Sequence, residues 1–261
     1  MELFLCTHPR DVGSASKHPY PICHMAYRIG PEMQLYRNGL GVNVKGGMLS
    51  LSNIGFSWGA PYAATLIREV VWECANRGFT GLLCDFEGET TPVLREFVYD
   101  AADKLKKYGV TLYVPRAYAA SAPGAHVLMS SAVTGGNCRE RYQSDLQVYG
   151  AERSAFLVEP VTTDILLPGE EGGGKELTYE ELQALMRREE SIPYLSHELS
   201  ACYFTYRDGE GRSHFVLFDD HRSILKKLQI AKETGFREAF ILYPDAREIL
   251  DEMAALREDG A

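Results

Sequence analysis

The chain is short of the features that announce many protein classes. No apolar run in its 261 residues approaches the ~20 residues that a membrane-spanning helix needs. Its start, Met1 to Pro9, has no basic stretch followed by a long apolar one, so no secretory leader is expected. Lysine and arginine number 27 against 36 acids, a net charge of −9, which argues against the basic face that nucleic-acid binding requires. The six cysteines are scattered without a C-x-x-C pair, so neither a disulfide frame nor a zinc knot is expected. They read as reduced thiols of a cytoplasmic or spore-associated protein. No G-x-G-x-x-G follows the first apolar segment, and the glycine-rich Gly169–Lys175 has acids where a phosphate loop needs its spacing, so no nucleotide cofactor is expected. His8 and His24 stand alone and not as His-x-His, which argues against a metal-dependent hydrolase. His24, in an apolar strand, reads as a core residue, and no metal is expected.

What the chain does have is an alternation of short apolar runs with helical patterns. Strands are expected at Glu2–Cys6, Ile22–Arg28, Met48–Ser52, Gly81–Cys84, Val110–Pro115, His126–Ser130, Ala155–Val161 and Glu238–Tyr243. Helices are expected at Tyr62–Asn76, Pro92–Tyr108, Arg139–Tyr149, Thr178–Arg188, Ser223–Thr234 and Asp245–Arg257, and Thr7–Tyr20 reads as a loop. That rhythm specifies a parallel α/β fold, and eight strands favour a closed (β/α)8 TIM-type barrel over an open sheet. One domain over 1–261 is expected. An insertion at about 169–220 would hold one helix and a hairpin, Ser200–Arg207 and Ser213–Asp219, around Asp208–Gly209–Glu210–Gly211.

The centre of the chain is Gly78-Phe79-Thr80-Gly81-Leu82-Leu83-Cys84-Asp85-Phe86-Glu87-Gly88. Side chains alternate along a strand, so Leu83, Asp85 and Glu87 share one face. On a barrel strand the last two rise to the carboxyl end, where barrel enzymes keep their chemistry. The competing reading is two acids at the start of the following helix, beside Thr90 and Thr91. By their place at or just past strand ends, Tyr27, Asn53, Tyr118, Ser131, Glu159 and Tyr243 are expected to line one cleft with the acid pair.

These residues resemble family 18 glycoside hydrolases, the chitinase-like barrels, whose fourth strand ends in D-G-x-D-x-D-x-E. Asp85 and Glu87 match the last two acids; Thr80 and Leu83 stand where the family has Asp. The longer match is C-terminal. Cys202 to Asp208, Ser213 to Asp220, Ser223-Ile224, Lys227-Leu228 and Ala231-Lys232 follow the family's Y-x-D-x-x-G-x-x-H-x-V-W-F-E-D-x-x-S-x-x-x-K-x-x-x-A passage. It is similar to the branch that holds sporulation and spore-germination hydrolases. Two further places depart. Met129-Ser130-Ser131 stands for M-x-Y, so Met129 is kept and the substrate-holding Tyr is Ser131. Leu242 stands for the Trp that floors the sugar site. The resemblance implies an N-acetylated glycan as ligand, Glu87 as general acid and Asp85 as the group that orients the substrate's acetamido. Mutual repulsion of the pair would help keep Glu87 protonated. A catalytically silent carbohydrate-binding or scaffold protein on the same barrel is the alternative.

Overall fold

The computed structural model describes residues 1–39, 44–56, 61–169 and 174–257. Eight parallel strands close into a barrel: Glu2–Thr7, Ile22–Ile29, Met48–Ser52, Gly81–Asp85, Thr111–Pro115, His126–Ser130, Ser154–Leu157 and Glu238–Leu242, numbered one to eight below. Strand one pairs with both strand two and strand eight, so the sheet has no open edge there. A short strand, Leu35–Arg37, adds antiparallel to strand two.

Alternation along each strand sorts the core. Phe4, Cys6, Cys23, Met48, Leu83, Tyr113, Leu128, Ala155 and Phe240 fill the barrel interior, with Met25, Leu157 and Leu242 against them. The other parity packs against the helices in two large clusters, one around Leu82, Phe97 and Leu112, the other around Leu5, Phe156 and Ile241. At the amino end of the barrel Glu238 accepts from Tyr113 (3.1 Å) and bonds the His126 ring (2.9 Å). Gly47 makes the entry to strand three possible. Its φ is +71°, and a Cβ there would lie 2.1 Å from the Ile22 carbonyl oxygen.

Helices Thr65–Arg77, Pro92–Lys106, Cys138–Tyr149 and His221–Thr234 lie where the apolar spacing puts them. The expected Asp245–Arg257 helix is two pieces, Tyr243–Ala246 and Leu250–Arg257, and the Thr7–Tyr20 segment contains a one-turn helix, Val12–Ala15. All six cysteines are unpaired and buried.

The hairpin Ala201–Arg207/Ser213–Phe218 is the centre of a five-stranded antiparallel sheet, together with Thr162–Leu167, Lys175–Glu176 and Tyr194–Ser196. This sheet starts at Thr162, earlier than the 169–220 span. The sequence reading carried strand seven to Val161, whereas the strand ends at Leu157 and the chain re-enters sheet structure five residues later. Helix Tyr179–Arg188 begins at the Thr178–Glu181 capping box and covers one sheet face, Leu182 and Leu185 packing with Phe204, Val216 and Phe218. The glycine-rich loop expected at Gly169–Lys175 falls largely on 170–173, outside the described residues.

Asp219 fastens this sheet to the barrel. Its backbone N–H donates to the Val161 carbonyl (2.8 Å), and its carboxylate accepts from Val161 N–H (2.8 Å), Ser223 Oγ (2.7 Å) and Lys227 Nζ (2.6 Å). The Lys227 and Asp219 side chains are 0% and 1% exposed. Breaking a buried pair from one side strands a charge and typically costs about 3–5 kcal/mol, while replacing both partners is far milder. Lys227→Ala should therefore lower the melting temperature sharply. Lys227→Met combined with Asp219→Asn should recover much of the loss in the same thermal scan.

Candidate functional site

The carboxyl end of the barrel opens into a cavity of about 440 Å³. Strand four delivers Leu83, Asp85 and Glu87 to it in alternation: Leu83 buried at the floor, Asp85 half-buried, Glu87 exposed. The helix that follows is capped by Thr91, whose Oγ accepts from Leu94 N–H at 3.1 Å, with Pro92 in its first turn. That cap needs neither acid, which removes the helix-start reading of the pair.

Glu87 lies just past the strand, and its backbone is held from strand three. Asn53 Nδ2 donates to the Glu87 carbonyl and Asn53 Oδ1 accepts from Glu87 N–H, both at 2.9 Å. Across the cavity Glu159 is held the same way. Ser131 Oγ donates to the Glu159 carbonyl (3.1 Å) and accepts from Glu159 N–H (2.9 Å). Each neighbouring strand thus spends one buried polar side chain on fixing the backbone of an acid.

The acids do not share their environment equally. Burial pushes the Asp85 carboxyl up to about 6, and the charges of Glu87 and Glu159 push the same way. The sequence reading had the repulsion serve Glu87; the structure puts the rise on Asp85, the deeper group, where lost hydration is the largest cause. With Leu83 below it, Asp85 has no second carboxyl at the next inward position of its strand.

Of the other residues expected at the cleft, Glu159 and Met129 border the cavity. Met129 does so from the helix-facing side of strand six, packed in the shell with Val127. Asn53 and Ser131 act on the backbones of the acids from behind. The remaining three belong to the shell, which corrects their expected rim positions. Tyr27 is buried and donates to Glu73 on the helix after strand three (2.7 Å); a register shift between His24 and Tyr27 turns it outward. Tyr118 sits in a 3-10 turn with its ring against Phe86, 5.6 Å between centroids. Tyr243 begins a helical turn and packs beneath it. At the ends of strands six and eight the residues that line the cavity are Ser130 and Leu242. His24 is buried as expected, its ring nitrogen 3.2 Å from the Gly46 carbonyl, and burial pulls its pKa down to about 4.

Three charged residues of the cavity wall carried no functional role in the sequence reading: Arg116 after strand five, and Arg141 and Asp145 on helix Cys138–Tyr149. Arg116 Nη1 and Arg141 Nε donate to the two oxygens of the buried Asp145, at 2.9 and 3.1 Å. The available signal was the i, i+4 spacing of Arg141 and Asp145 on a polar helix. Among the described residues no three His, Cys, Asp or Glu side chains gather as a metal site, and no helix is long and apolar enough to cross a membrane.

No family model matches the chain, and no curated protein matches it in sequence. Solved structures do match in fold. A chitinase from Chromobacterium violaceum aligns over 100% of both chains with a TM-score of 0.66 at 14% identity. The spore cortex-lytic enzyme SleL of Bacillus megaterium aligns over 96% of this chain and 73% of its own, with a TM-score of 0.62 at 16% identity. A family 18 chitinase from Cycas revoluta, solved with (GlcNAc)4, covers 98% of this chain and 99% of its own, with a TM-score of 0.59 at 13% identity. The chain has the barrel fold of the family 18 glycoside hydrolases.

A carboxyl whose folded-state pKa is raised stabilises the fold at low pH, and that contribution is lost as pH rises through the folded value. Asp85, moved from 3.8 to about 6, therefore costs on the order of 3 kcal/mol once ionised. Asp85→Asn should melt several degrees above the wild type at pH 7.5. The gap should close as pH falls below 4, as thermal denaturation across that range would show.

Proposed function

We propose that this chain is a glycoside hydrolase acting on a β-linked, N-acetylated glycan, with Glu87 as general acid and Asp85 as its assistant. The observation that carries this reading is the delivery of two carboxylates by one strand end to one cavity, the outer exposed and the inner half-buried. The fold shared with chitinases and with SleL supports it, as does the (GlcNAc)4 bound to the Cycas enzyme.

The chemistry follows the substrate-assisted route. Glu87 gives its proton to the glycosidic oxygen as the C1–O bond breaks. The acetamido oxygen of the same sugar closes on C1, forming an oxazolinium ring and releasing the leaving sugar. Water then adds at C1, Glu87 takes back a proton, and the ring opens to restore the acetamido. Asp85, ionised above about pH 6, orients the acetamido N–H and offsets the positive charge of the ring. Asn53 keeps the proton donor in place by fixing the Glu87 backbone.

The floor differs from the pattern that the resemblance implies. Leu83 and Leu242 line the cavity where an acid and an indole are implied, and serines stand where the end of strand six is implied to bring a phenol. These replacements favour the second reading, a glycan-binding protein without turnover. The resemblance implies the phenol at Ser131, which is committed to the Glu159 backbone, so we take its neighbour Ser130 as the place to restore it.

Glu87→Gln keeps shape and hydrogen bonding but loses the transferable proton, so cleavage of N-acetylglucosamine oligomers should fall by ~10²–10⁴ while binding persists. Ser130→Tyr should raise that cleavage. Wild-type protein that binds the oligomers by calorimetry but never cleaves them would establish the binding-protein reading, and no binding at all would end both.

A further inference from the structure

The acids occupy only part of the cavity wall. Arg116 and Arg141 reach it from different elements, the turn after strand five and the helix after strand six, and both converge on Asp145. The Asp145 side chain is 5% exposed, whereas the arginine side chains are 49% and 56% exposed. One buried carboxylate needs one guanidinium to balance it. Here it has two, which leaves a formal charge of +1 on this part of the wall.

The donors are also unevenly spent. Arg116 commits Nη1 and Arg141 commits Nε to Asp145. Both side chains line a cavity that otherwise offers Asp85, Glu87 and Glu159, and about half of each is open to solvent. Two planar forks tethered to one buried anchor are brought together for a planar, singly charged acceptor before a ligand arrives. A neutral N-acetylglucosamine polymer has no group that needs such a pair.

We infer that Arg116 and Arg141 form a carboxylate subsite, and that the glycan this cavity takes is an amino-sugar strand bearing a free carboxylate on neighbouring sugars. The inference rests on the glycan reading above and narrows it from neutral to anionic strands. The carboxylate could be carried by an ether-linked lactyl group or by a uronic acid; both present the same acceptor to the arginines. Asp145 serves as a positioning residue, acting on a ligand only through the two guanidinium groups.

The test compares three β-linked tetrasaccharides by calorimetry at low and high salt. One is all N-acetylglucosamine, one alternates N-acetylglucosamine with N-acetylmuramic acid bearing free lactyl groups, and one alternates N-acetylglucosamine with glucuronic acid. At least one anionic strand should bind about tenfold tighter than the neutral one, and that preference should shrink as salt rises. Which of the two it is identifies the carboxylate's source. Arg116→Gln and Arg141→Gln, tested singly so that Asp145 keeps one partner, should each bring the anionic-to-neutral affinity ratio towards one. A purely structural role would weaken all ligands together and leave the ratio unchanged. Equal affinity of wild type for all three, or a ratio untouched in both variants, would overturn the subsite while leaving the glycan reading intact. Binding of none of the three would overturn both.

Discussion

The buried contact between Asp219 and Lys227 is the point through which the two sheets and the site are joined. Asp219 ends the hairpin of the five-stranded sheet, Lys227 and Ser223 belong to the helix that leads to strand eight, and Val161 follows Glu159 by two residues. One carboxylate therefore ties together the exit from strand seven, the inserted sheet and the return to the barrel. The desolvation of two charges is an expense that an apolar pair would avoid. What the ionic pair adds is direction. Three donors converge on two oxygens, and that can be satisfied in only one arrangement of the three segments. The same logic operates on a smaller scale at Asn53 and Ser131, each of which uses both hydrogen-bonding capacities on the backbone of one acid.

Much of the barrel was legible because its strands are short apolar runs between clear helix signals, and parity along a run is certain while the run lasts. That is why Leu83, Asp85 and Glu87 could be placed on one face. Parity is lost where a strand ends or slips. Tyr27 lies beyond a register shift, Tyr118 in a 3-10 turn and Tyr243 in the first turn of a helix, so each points to the shell. Ser131 missed the cavity by one residue for the same reason, and the inward place belongs to Ser130. The convergence of Arg116, Arg141 and Asp145 was invisible for a different reason. Their meaning comes from convergence of distant segments on a buried carboxylate, and no local pattern encodes that. The strand Thr162–Leu167 was missed because it follows strand seven after only a few residues, and a single apolar stretch gives no sign of where one sheet is left for another.

The site also shows how the surroundings divide labour between two similar acids. Asp85 and Glu87 are two residues apart on one strand end, yet one is half-buried and the other open. Burial, more than the proximity of Glu87, sets the properties of Asp85. Leucine at position 83 sharpens this, since it adds to the apolar lining of the barrel interior and brings no second carboxyl to share a proton. Keeping Asp85 there is a standing cost to the fold at neutral pH, as expected of a group retained for its chemistry.

The unpaired cysteines have a consequence of another kind. All six are buried, and burial, or for Cys23 a hydrogen bond with Cys6 followed by burial, raises the pKa of the thiols at positions 23, 74, 84, 138 and 202. A raised thiol pKa lowers the thiolate fraction, and the thiolate is the form that attacks disulfides and reacts with oxidants. The fold therefore uses none of these cysteines in a disulfide, and at five of the six the reactive thiolate is disfavoured, so chain packing alone holds the barrel together.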